Sequence, residues 1–413
     1  METVMSVSLH SASPHSVPLP DPAAPASVSP GAATSLLDAY HPATDRFVAT
    51  PHRTLLGRGT AAVIPDDSRP PAVRVRETLD GLRRPGAAAP VVVGALPFAP
   101  DGPTALAVPD MVHWAPPLRE DPLVALPVPH DGDRPDWRVT EVPSPERYGA
   151  AVAAAVARMR AGEFDKVVLA RSLELTSGHA PDLPAMLRRL ARRDPSGYTF
   201  AVPSGPGRTL IGASPELLVA RQGGRLTANP LAGSAPRSED LAEDVRRAVA
   251  LLESEKDLHE HAVVVAAVRE ALAPFCATLQ VPERPTLVRT AAMWHLSTTV
   301  TGELADPDTA TALDLASALH PTPAVCGTPT DLARRVIAES EPFDRGAYTG
   351  MVGWQDADGD GEWVVTIRCA EAEGNTLRLF AGAGVVAAST PEAETAETAA
   401  KFRTFLHAVG ASL

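Results

Sequence analysis

The chain has 413 residues, of which 45% are hydrophobic, so it can bury a large core as one large domain or two ordinary ones. The net charge of −13 argues against a nucleic-acid partner, and the lack of any run of about eighteen apolar residues argues against a membrane-spanning helix. Three cysteines (Cys276, Cys326 and Cys369) show neither a disulfide framework nor metal-ligand spacing, which favours a reducing, cytoplasmic setting.

The sequence of the N-terminal third predicts a leader followed by a structural part without catalytic residues, here called the scaffold. Residues 1–35 are rich in Ser, Pro and Ala and lack the basic and apolar regions of a signal peptide, so we expect a disordered leader. From residue 36 to about residue 140 the sequence is Pro-rich, with short apolar runs and no evident chemistry. These runs predict strands at Ala61–Ile64, Ala72–Val75, Pro90–Leu96 and Ala105–Val108.

The rest of the chain predicts helices and strands in clusters. Ser144 and Pro145 begin a helix that Gly162 ends, and a strand follows at Lys166–Leu175. Further strands are predicted at Tyr198–Val202, Thr209–Val219, Arg225–Ala228, Tyr348–Gln355, Glu362–Cys369 and Thr376–Ala381. Further helices are predicted at Ser238–Leu272, Thr309–Leu319 and Thr330–Glu339, and from about Pro391 to the C-terminus. Clusters rather than strict alternation favour an α+β fold with largely antiparallel sheets.

Two groups of carboxylates could hold a hard metal ion. Asp257 and Glu260 share one face of a predicted helix, and Glu394 and Glu397 share a face in the first turns of the last helix. Mg²⁺ prefers carboxylate oxygens and usually takes only one or two from the protein. A solvated charged face explains the first group equally well, and compensation of the helix dipole explains the second.

Lysine is rare in this chain. Only three of its 37 Lys and Arg residues are Lys: Lys166, Lys256 and Lys401. In so Arg-rich a chain, each remaining Lys is a candidate for a role that Arg cannot fill. Lys166 begins an apolar strand and could act as a general base or simply point to water. Lys401 could bind a substrate carboxylate or pair with Glu397 one turn earlier.

Glu216 and Arg368 are charged residues next to apolar strands. Pro215 interrupts the strand before Glu216, so a bulge could turn this carboxyl inward as a protonated acid, although a turn-facing Glu fits as well. Arg368 ends an apolar strand and could pair with a substrate carboxylate. The backbone N–H groups of Gly382 and Gly384 could bind the same anion, although a bulge explains this Gly-x-Gly pattern equally well.

Taken together, these segments resemble the chorismate-utilising enzymes, which include the isochorismate, salicylate, anthranilate and aminodeoxychorismate synthases. The resemblance runs from about Glu146 to Phe405 and is greatest to the isochorismate synthases of catecholate siderophore pathways. The matching blocks are Phe164–Arg171, Ser214–Leu218, Pro230–Ser234, Ser254–His261, Trp294–Leu296, Leu319–Ala324, Glu341–Arg345, Gly361–Ala370 and Leu379–Gly384.

The resemblance implies a fold and an organisation. The family fold is a single large α+β domain in which two mainly antiparallel sheets pack together with helices outside. In this chain it would span residues 36–413, with a scaffold part at residues 36–140 and a catalytic part at residues 144–411. It also implies a cytoplasmic monomer that acts on chorismate with Mg²⁺ and without a glutaminase partner.

The resemblance also implies roles for individual residues. Lys166 matches the general base that activates water for attack at C2 of chorismate, and Glu216 matches the general acid that protonates the departing C4 hydroxyl. Glu260 and Glu397 match the Mg²⁺ ligands. The remaining matches are Asp257 and Glu394 as outer-shell carboxylates, and Gly233, Ser234, His295, Ala324, Val325, Arg368, Gly382, Gly384 and Lys401 as substrate-binding residues.

A few positions separate the members of the family. The block Pro230–Ser234 lacks the Lys of aminodeoxychorismate synthases, and Lys166 stands where anthranilate synthases have no Lys base, so water is favoured over ammonia as the nucleophile. Salicylate synthases, which go on to eliminate pyruvate, tend to carry Thr at the position of Ala324. The resemblance therefore favours an isochorismate synthase that feeds siderophore biosynthesis, with a salicylate synthase or an ammonia-using subunit as alternatives.

Two residues depart from the family pattern. Leu258 stands where Arg is common, and Thr395 stands where an aromatic residue is frequent. Neither departure removes a proposed catalytic group; they leave the shape of the pocket and the rate open.

Overall fold

Two large antiparallel sheets form the centre of the molecule in the computed structural model, which describes residues 30–126 and 136–411. The strands are β1 (Asp45–Ala49), β2 (Thr54–Arg58), β3 (Ala62–Val63), β4 (Val91–Leu96), β5 (Ala105–Val108), β6 (Met111–Ala115), β7 (Arg138–Val142), β8 (Lys166–Thr176), β9 (Tyr198–Gly205), β10 (Arg208–Ser214), β11 (Leu217–Gln222), β12 (Arg225–Asn229), β13 (Leu231–Pro236), β14 (Cys276–Gln280), β15 (Thr286–Arg289), β16 (Met293–Ser297), β17 (Val300–Leu304), β18 (Gly327–Thr328), β19 (Met351–Asp356), β20 (Gly361–Val365), β21 (Cys369–Glu373) and β22 (Thr376–Val386).

The strand order differs from the chain order in each large sheet. The first sheet runs β18-β8-β22-β21-β10-β9-β1-β2-β6, and β7 pairs with β8 beside this path. The second sheet runs β14-β17-β12-β11-β20-β19-β4-β5-β3, and a small third sheet runs β13-β16-β15. Strands from the N-terminal part of the chain therefore extend both large sheets.

Helices cover the outer faces of these sheets. They are α1 (Ala32–Asp38), α2 (Pro71–Leu82), α3 (Pro145–Arg160), α4 (Leu183–Arg193), α5 (Leu241–Glu253), α6 (Glu255–Leu272), α7 (Ala312–Leu319), α8 (Thr330–Ser340) and α9 (Pro391–Val409), with short 3₁₀ turns at Leu118–Glu120, Pro122–Ala125 and Ala273–Phe275. Helices α1, α4 and α9 bury apolar residues against the first sheet, whereas α2, α6 and α7 do so against the second. Among the described residues, no helix is long and apolar enough to span a membrane.

The two large sheets share an apolar interface. Val48 and Phe200 come from the first sheet, Val93 and Val352 come from the second, and all four are buried in one cluster. Burying such side chains stabilises the fold by about 1.5–3 kcal/mol each. The predicted α+β class with antiparallel sheets is confirmed.

Two of the chain's crossings between the large sheets lie side by side. The chain leaves β10 in the first sheet and enters β11 in the second through Pro215 and Glu216. It returns from β20 to β21 through residues 366–368. Val365 N donates to Glu216 O at 3.1 Å, which joins the two crossings. Glu216 and Arg368 are thereby held at the seam between the sheets.

Several element predictions need correction. Ala72–Val75 lies in helix α2, because Ala72, Val75 and Leu79 follow helical spacing and bury one face. The expected helix Ser238–Leu272 is two helices, since Ser254 ends α5 and caps α6. Thr209–Val219 is two strands for a similar reason, with Pro215 at the break.

The predicted leader, residues 1–35, also needs a new boundary. Residues 1–29 lie outside the described residues. Helix α1 begins at Ala32 and buries Ala33, Thr34 and Leu37. Thr34 N and its hydroxyl both donate to the Asp121 carboxylate, at 2.9 and 3.0 Å, so the folded part starts before residue 35.

Candidate active site

A pocket opens at the seam where the chain crosses between the sheets. Strand β8 and the adjoining β22 form its floor, and helices α6 and α9 bring carboxylates to its rim. Its lining comprises Val168, Pro215, Glu216, Leu231, Ala232, Gly233, Ser234, Glu260, His295, Ala324, Val325, Tyr348, Thr349, Ile367, Arg368, Phe380, Ala381, Gly382, Gly384, Glu397 and Lys401.

Glu216 is a buried carboxyl that can hold a proton near neutral pH. The break at Pro215 turns its side chain inward, and only 3% of the residue is exposed. Burial raises the pKa of Glu216 to about 7, although the Leu231 N–H and the cations Lys166, Lys401 and Arg368 act in the opposite direction. A carboxyl of this kind can donate a proton at pH 7.

Lys166 is a buried amine at the start of β8. It is 2% exposed, and its Nζ lies 2.8 Å from Glu260 Oε1. The pair depends on a glycine, because a Cβ at Gly384 would lie 2.4 Å from that oxygen and 3.2 Å from Lys166 Cε. The register of β22 on β8 places Gly384 opposite Val168, which explains the close approach.

Lys401 makes a second short ion pair on the other helix of the rim. Its Nζ lies 2.6 Å from Glu397 Oε1 and donates to Gly382 O at 2.8 Å. Lys401 and Glu397 therefore form the ion pair expected of residues one helical turn apart, and this pair lies in the pocket. Lys401 and Lys166 each face a carboxylate that also lines the pocket.

Behind these pairs lies a cluster of further carboxylates. Burial, with like charge from Glu260 and Glu397, raises the pKa of Asp257. Burial and like charge from Glu397 also raise the pKa of Glu394, whose Oε1 lies 3.4 Å from Lys256 Nζ. Negative charge is thus concentrated where α6 meets α9.

This cluster suits a hard divalent cation. All its donors are carboxylate oxygens, and a cation would offset the like charge that, after burial, contributes to raising two of their pKa values. Within residues 30–126 and 136–411, no group of three or more His, Cys, Asp or Glu side chains stands ready to hold a metal. Mg²⁺ commonly takes only one or two protein carboxylates and completes its shell with water and substrate, so a Mg²⁺ site does not require a group of three.

Arg368 adds a buried cation to the pocket. Arg368 is buried with φ of 52°, a left-handed backbone conformation that is uncommon for residues other than Gly. Burial lowers its pKa to about 10, so it remains charged at neutral pH. The side chain therefore carries a buried positive charge toward the space that a ligand would fill.

A neutral histidine links Arg368 to Ser234. Burial, with Arg368 and Lys401 nearby, holds the pKa of His295 well below its usual value. Arg368 Nη2 lies 3.4 Å from His295 Nε2, and His295 Nδ1 lies 2.8 Å from Ser234 Oγ. Because Arg can only donate, the ring proton belongs on Nδ1. The Ser234 hydroxyl is then free to donate its own hydrogen to a ligand.

The structure brings the residues singled out from the sequence to one place. The predicted substrate-binding residues, Glu216 and the two predicted metal ligands all line the pocket, Lys166 contacts it through Glu260, and Asp257 and Glu394 lie behind. Sequence reasoning missed Tyr348, Thr349, Ile367 and Phe380. Tyr348 stacks on Phe380 with ring centroids 4.9 Å apart, a contact between distant segments that has no local sequence signal.

Comparisons with known proteins show which family and which relatives this chain is similar to. The family described as chorismate binding enzyme matches residues 126–410. Isochorismate synthase DhbC of Bacillus subtilis is 51% identical over 92% of this chain and 96% of its own length. The vibriobactin-specific isochorismate synthase of Vibrio cholerae is 41% identical over 92% of this chain and 94% of its own. The crystal structure of a putative 2,3-dihydroxybenzoate-specific isochorismate synthase from Bacillus anthracis superposes with a TM-score of 0.84 at 48% identity, covering 92% of this chain and all of that one.

Proposed function

The chain belongs to the chorismate-binding enzyme family, and from that premise we propose that it is an isochorismate synthase, an isomerase that interconverts chorismate and isochorismate. Relatives with that name match nearly the whole chain. One observation carries the proposed chemistry. A buried amine, Lys166, and a buried carboxyl of raised pKa, Glu216, both lie at this pocket.

The two groups divide the proton transfers between them. Lys166, as the neutral amine, takes a proton from water while the water oxygen bonds to C2 of chorismate. The ring double bonds shift, the bond from C4 to its hydroxyl breaks, and Glu216 gives its proton to the departing oxygen, which leaves as water. One proton enters at Lys166 and one leaves Glu216, so the reverse reaction uses the same groups with their roles exchanged.

The cations and backbone groups of the pocket hold the substrate. We assign Arg368 and Lys401, which line the pocket, to the enolpyruvyl carboxylate, with the backbone of Gly382 and Gly384 beside them. The Ser234 hydroxyl supplies a further donor. Fixed donors in a buried site stabilise charge without having to reorganise during the reaction.

Glu260 and Glu397 would hold Mg²⁺, with Asp257 and Glu394 around it. When bound, the ion offsets the charge of the substrate's ring carboxylate. The same two carboxylates pair with Lys166 and Lys401.

The product is proposed to leave as isochorismate and to feed 2,3-dihydroxybenzoate siderophore synthesis. Ala324 and Val325 line the pocket. Because salicylate synthases tend to carry Thr at the position of Ala324, we do not expect this protein to eliminate pyruvate. We further propose a cytoplasmic monomer without a glutaminase partner. Its three free cysteines suit a reducing compartment.

Isotope labelling tests the proposed chemistry. The protein is incubated with chorismate and Mg²⁺ in water enriched in ¹⁸O, and the isochorismate is analysed by mass spectrometry. Attack by water predicts one ¹⁸O atom at C2. Unlabelled isochorismate would contradict the assignment, because the hydroxyl would then have moved without exchange with solvent.

A further inference from the structure

One edge of β8 has a gap in its hydrogen-bond ladder. Strand β18 pairs with this edge at Lys166 and Val167, and β7 pairs with it again from Ser172 onward. A sheet edge left open inside a protein would carry unsatisfied backbone groups, which is costly. The gap lies at residues 168–171, on the same strand as the proposed base Lys166.

Two side chains take the place of a strand in this gap. Arg345 Nη2 donates to Val168 O at 2.7 Å, and Ala170 N donates to Glu341 Oε1 at 2.8 Å. Glu341 and Arg345 also bind each other, with Nε to Oε2 at 2.8 Å and Nη2 to Oε1 at 2.5 Å. The side chains are 3% and 2% exposed, so the pair is shielded from water.

The remaining Arg345 donors reach the opposite wall of the pocket. Nη1 donates to Val325 O at 2.9 Å and to Thr349 Oγ1 at 3.2 Å. With the bonds to Glu341 and Val168, all five N–H groups of the guanidinium are used. Lys has three donors and no planar fork, so it cannot reproduce this set.

Thr349 needs such support. Its φ of 58° places a β-branched residue in the left-handed region, which costs about 1–3 kcal/mol. His320 Nε2 lies 2.8 Å from Thr349 O, and Thr349 N donates to Thr366 O at 2.7 Å. The Arg345 contact thus completes the set of bonds that holds this part of the pocket wall.

We propose that Glu341 and Arg345 form a positioning pair for the reaction, fixing the Lys166 end of β8 relative to the wall made by Val325 and Thr349. The proposal rests on the proposed function, because it assigns the pair to the geometry of the base. A misplacement of about 1 Å in an active site can cost about 10²-fold in rate. Neither Glu341 nor Arg345 lines the pocket, so the pair acts through strand β8 and through the wall residues that it bonds to.

Another buried arginine provides a matched control. Arg221 donates to Asp360 Oδ1 at 2.6 Å, Pro307 O at 2.6 Å and Asp358 O at 3.1 Å, and its side chain is 5% exposed. Like Arg345, it joins a carboxylate to backbone carbonyls, but it does not line the pocket. Loss of either arginine should therefore lower stability, whereas only loss of Arg345 should move the base.

The test compares Arg345→Lys and Glu341→Gln with Arg221→Lys. Each is assayed with chorismate and saturating Mg²⁺ at a temperature well below its own Tm. We expect the first two to lower kcat at least about tenfold while KM stays within about threefold, and the control to keep kcat within about twofold. If Arg345→Lys lowers Tm but keeps kcat within twofold of wild type, the pair only stabilises the fold, and the proposed positioning role is wrong.

Amide hydrogen exchange supplies a second readout that does not depend on turnover. The expected result is faster exchange in the segment at residues 168–171 of Arg345→Lys and Glu341→Gln, with no such change in Arg221→Lys. Unchanged protection there would overturn the proposal. If Arg345→Lys does not fold, the same kcat, KM and exchange criteria are applied to Glu341→Gln, which keeps an oxygen acceptor. A wild-type protein inactive on chorismate would refute the proposed function, and the exchange data would still test the pair.

Discussion

Replacing Glu216 with Gln should stabilise the protein at high pH while removing its activity. Burial raises the pKa of Glu216 from 4.5 to about 7, which corresponds to about 3 kcal/mol at 1.36 kcal/mol per pKa unit. Between these two pH values the folded protein keeps a proton that the unfolded chain releases. The contribution of this carboxyl to stability therefore falls as the pH rises, and the loss is complete above about pH 8.

Glutamine has nearly the same shape and cannot ionise, so the variant avoids this loss. We expect the free energy of unfolding of Glu216→Gln, relative to wild type, to increase by about 2–3 kcal/mol between pH 5 and pH 8.5. Urea unfolding in metal-free buffer measures it at both pH values. Over the same range, turnover of chorismate should be about 10²–10⁴-fold below wild type.

Glu270→Gln, on an exposed position of α6, is the matched control and should show no such pH dependence. The burial argument fails if the stability difference for Glu216→Gln is the same at both pH values. It also fails if the variant becomes less stable relative to wild type at pH 8.5. Retention of wild-type turnover would separately remove the role of Glu216 as the acid.

Three further predictions concern the base, the metal and the floor of the pocket. Lys166→Ala should lower kcat about 10²–10⁴-fold with the fold intact by circular dichroism, and a wild-type rate would exclude Lys166 as the base. Excess chelator should abolish turnover and added Mg²⁺ should restore it, whereas full turnover in chelator would exclude the Glu260/Glu397 site. Gly384→Ala should lower both activity and Mg²⁺ affinity measured by calorimetry, because its Cβ would meet Glu260 Oε1 at 2.4 Å. Gly81→Ala, where nothing lies within 4 Å of the new Cβ, should leave both unchanged.

Local patterns predicted the helices and strands best where both ends carry a signal. Helix α3 has Ser144 as its cap and Pro145 in its first turn, and β8 begins at Lys166 as expected. The strand predicted at Ala72–Val75 lies in helix α2, because a four-residue apolar run does not distinguish a buried strand from a buried helical turn. Strands β1 and β2, which pair with each other, were not predicted at all.

The site residues could be named from the sequence because the family resemblance supplies them in order along the chain. Their surroundings could not be predicted, since they depend on contacts between distant segments. No local pattern says that Gly384 clears space for Glu260, or that Arg345 bonds to Val168 and Val325. For Glu216 the sequence left open an inward-facing protonated acid and a turn-facing carboxylate, and burial at the seam between the two sheets raises its pKa.

The most direct test of the central claim is to identify the products that the purified protein makes from chorismate with Mg²⁺ and without ammonia. Chromatography with mass detection should show isochorismate in reversible balance with chorismate, and no pyruvate. Salicylate with an equal amount of pyruvate would contradict the account, because the enzyme would then continue past isochorismate despite Ala324. An absence of any turnover would contradict the assignment of Lys166 and Glu216 as a working base and acid.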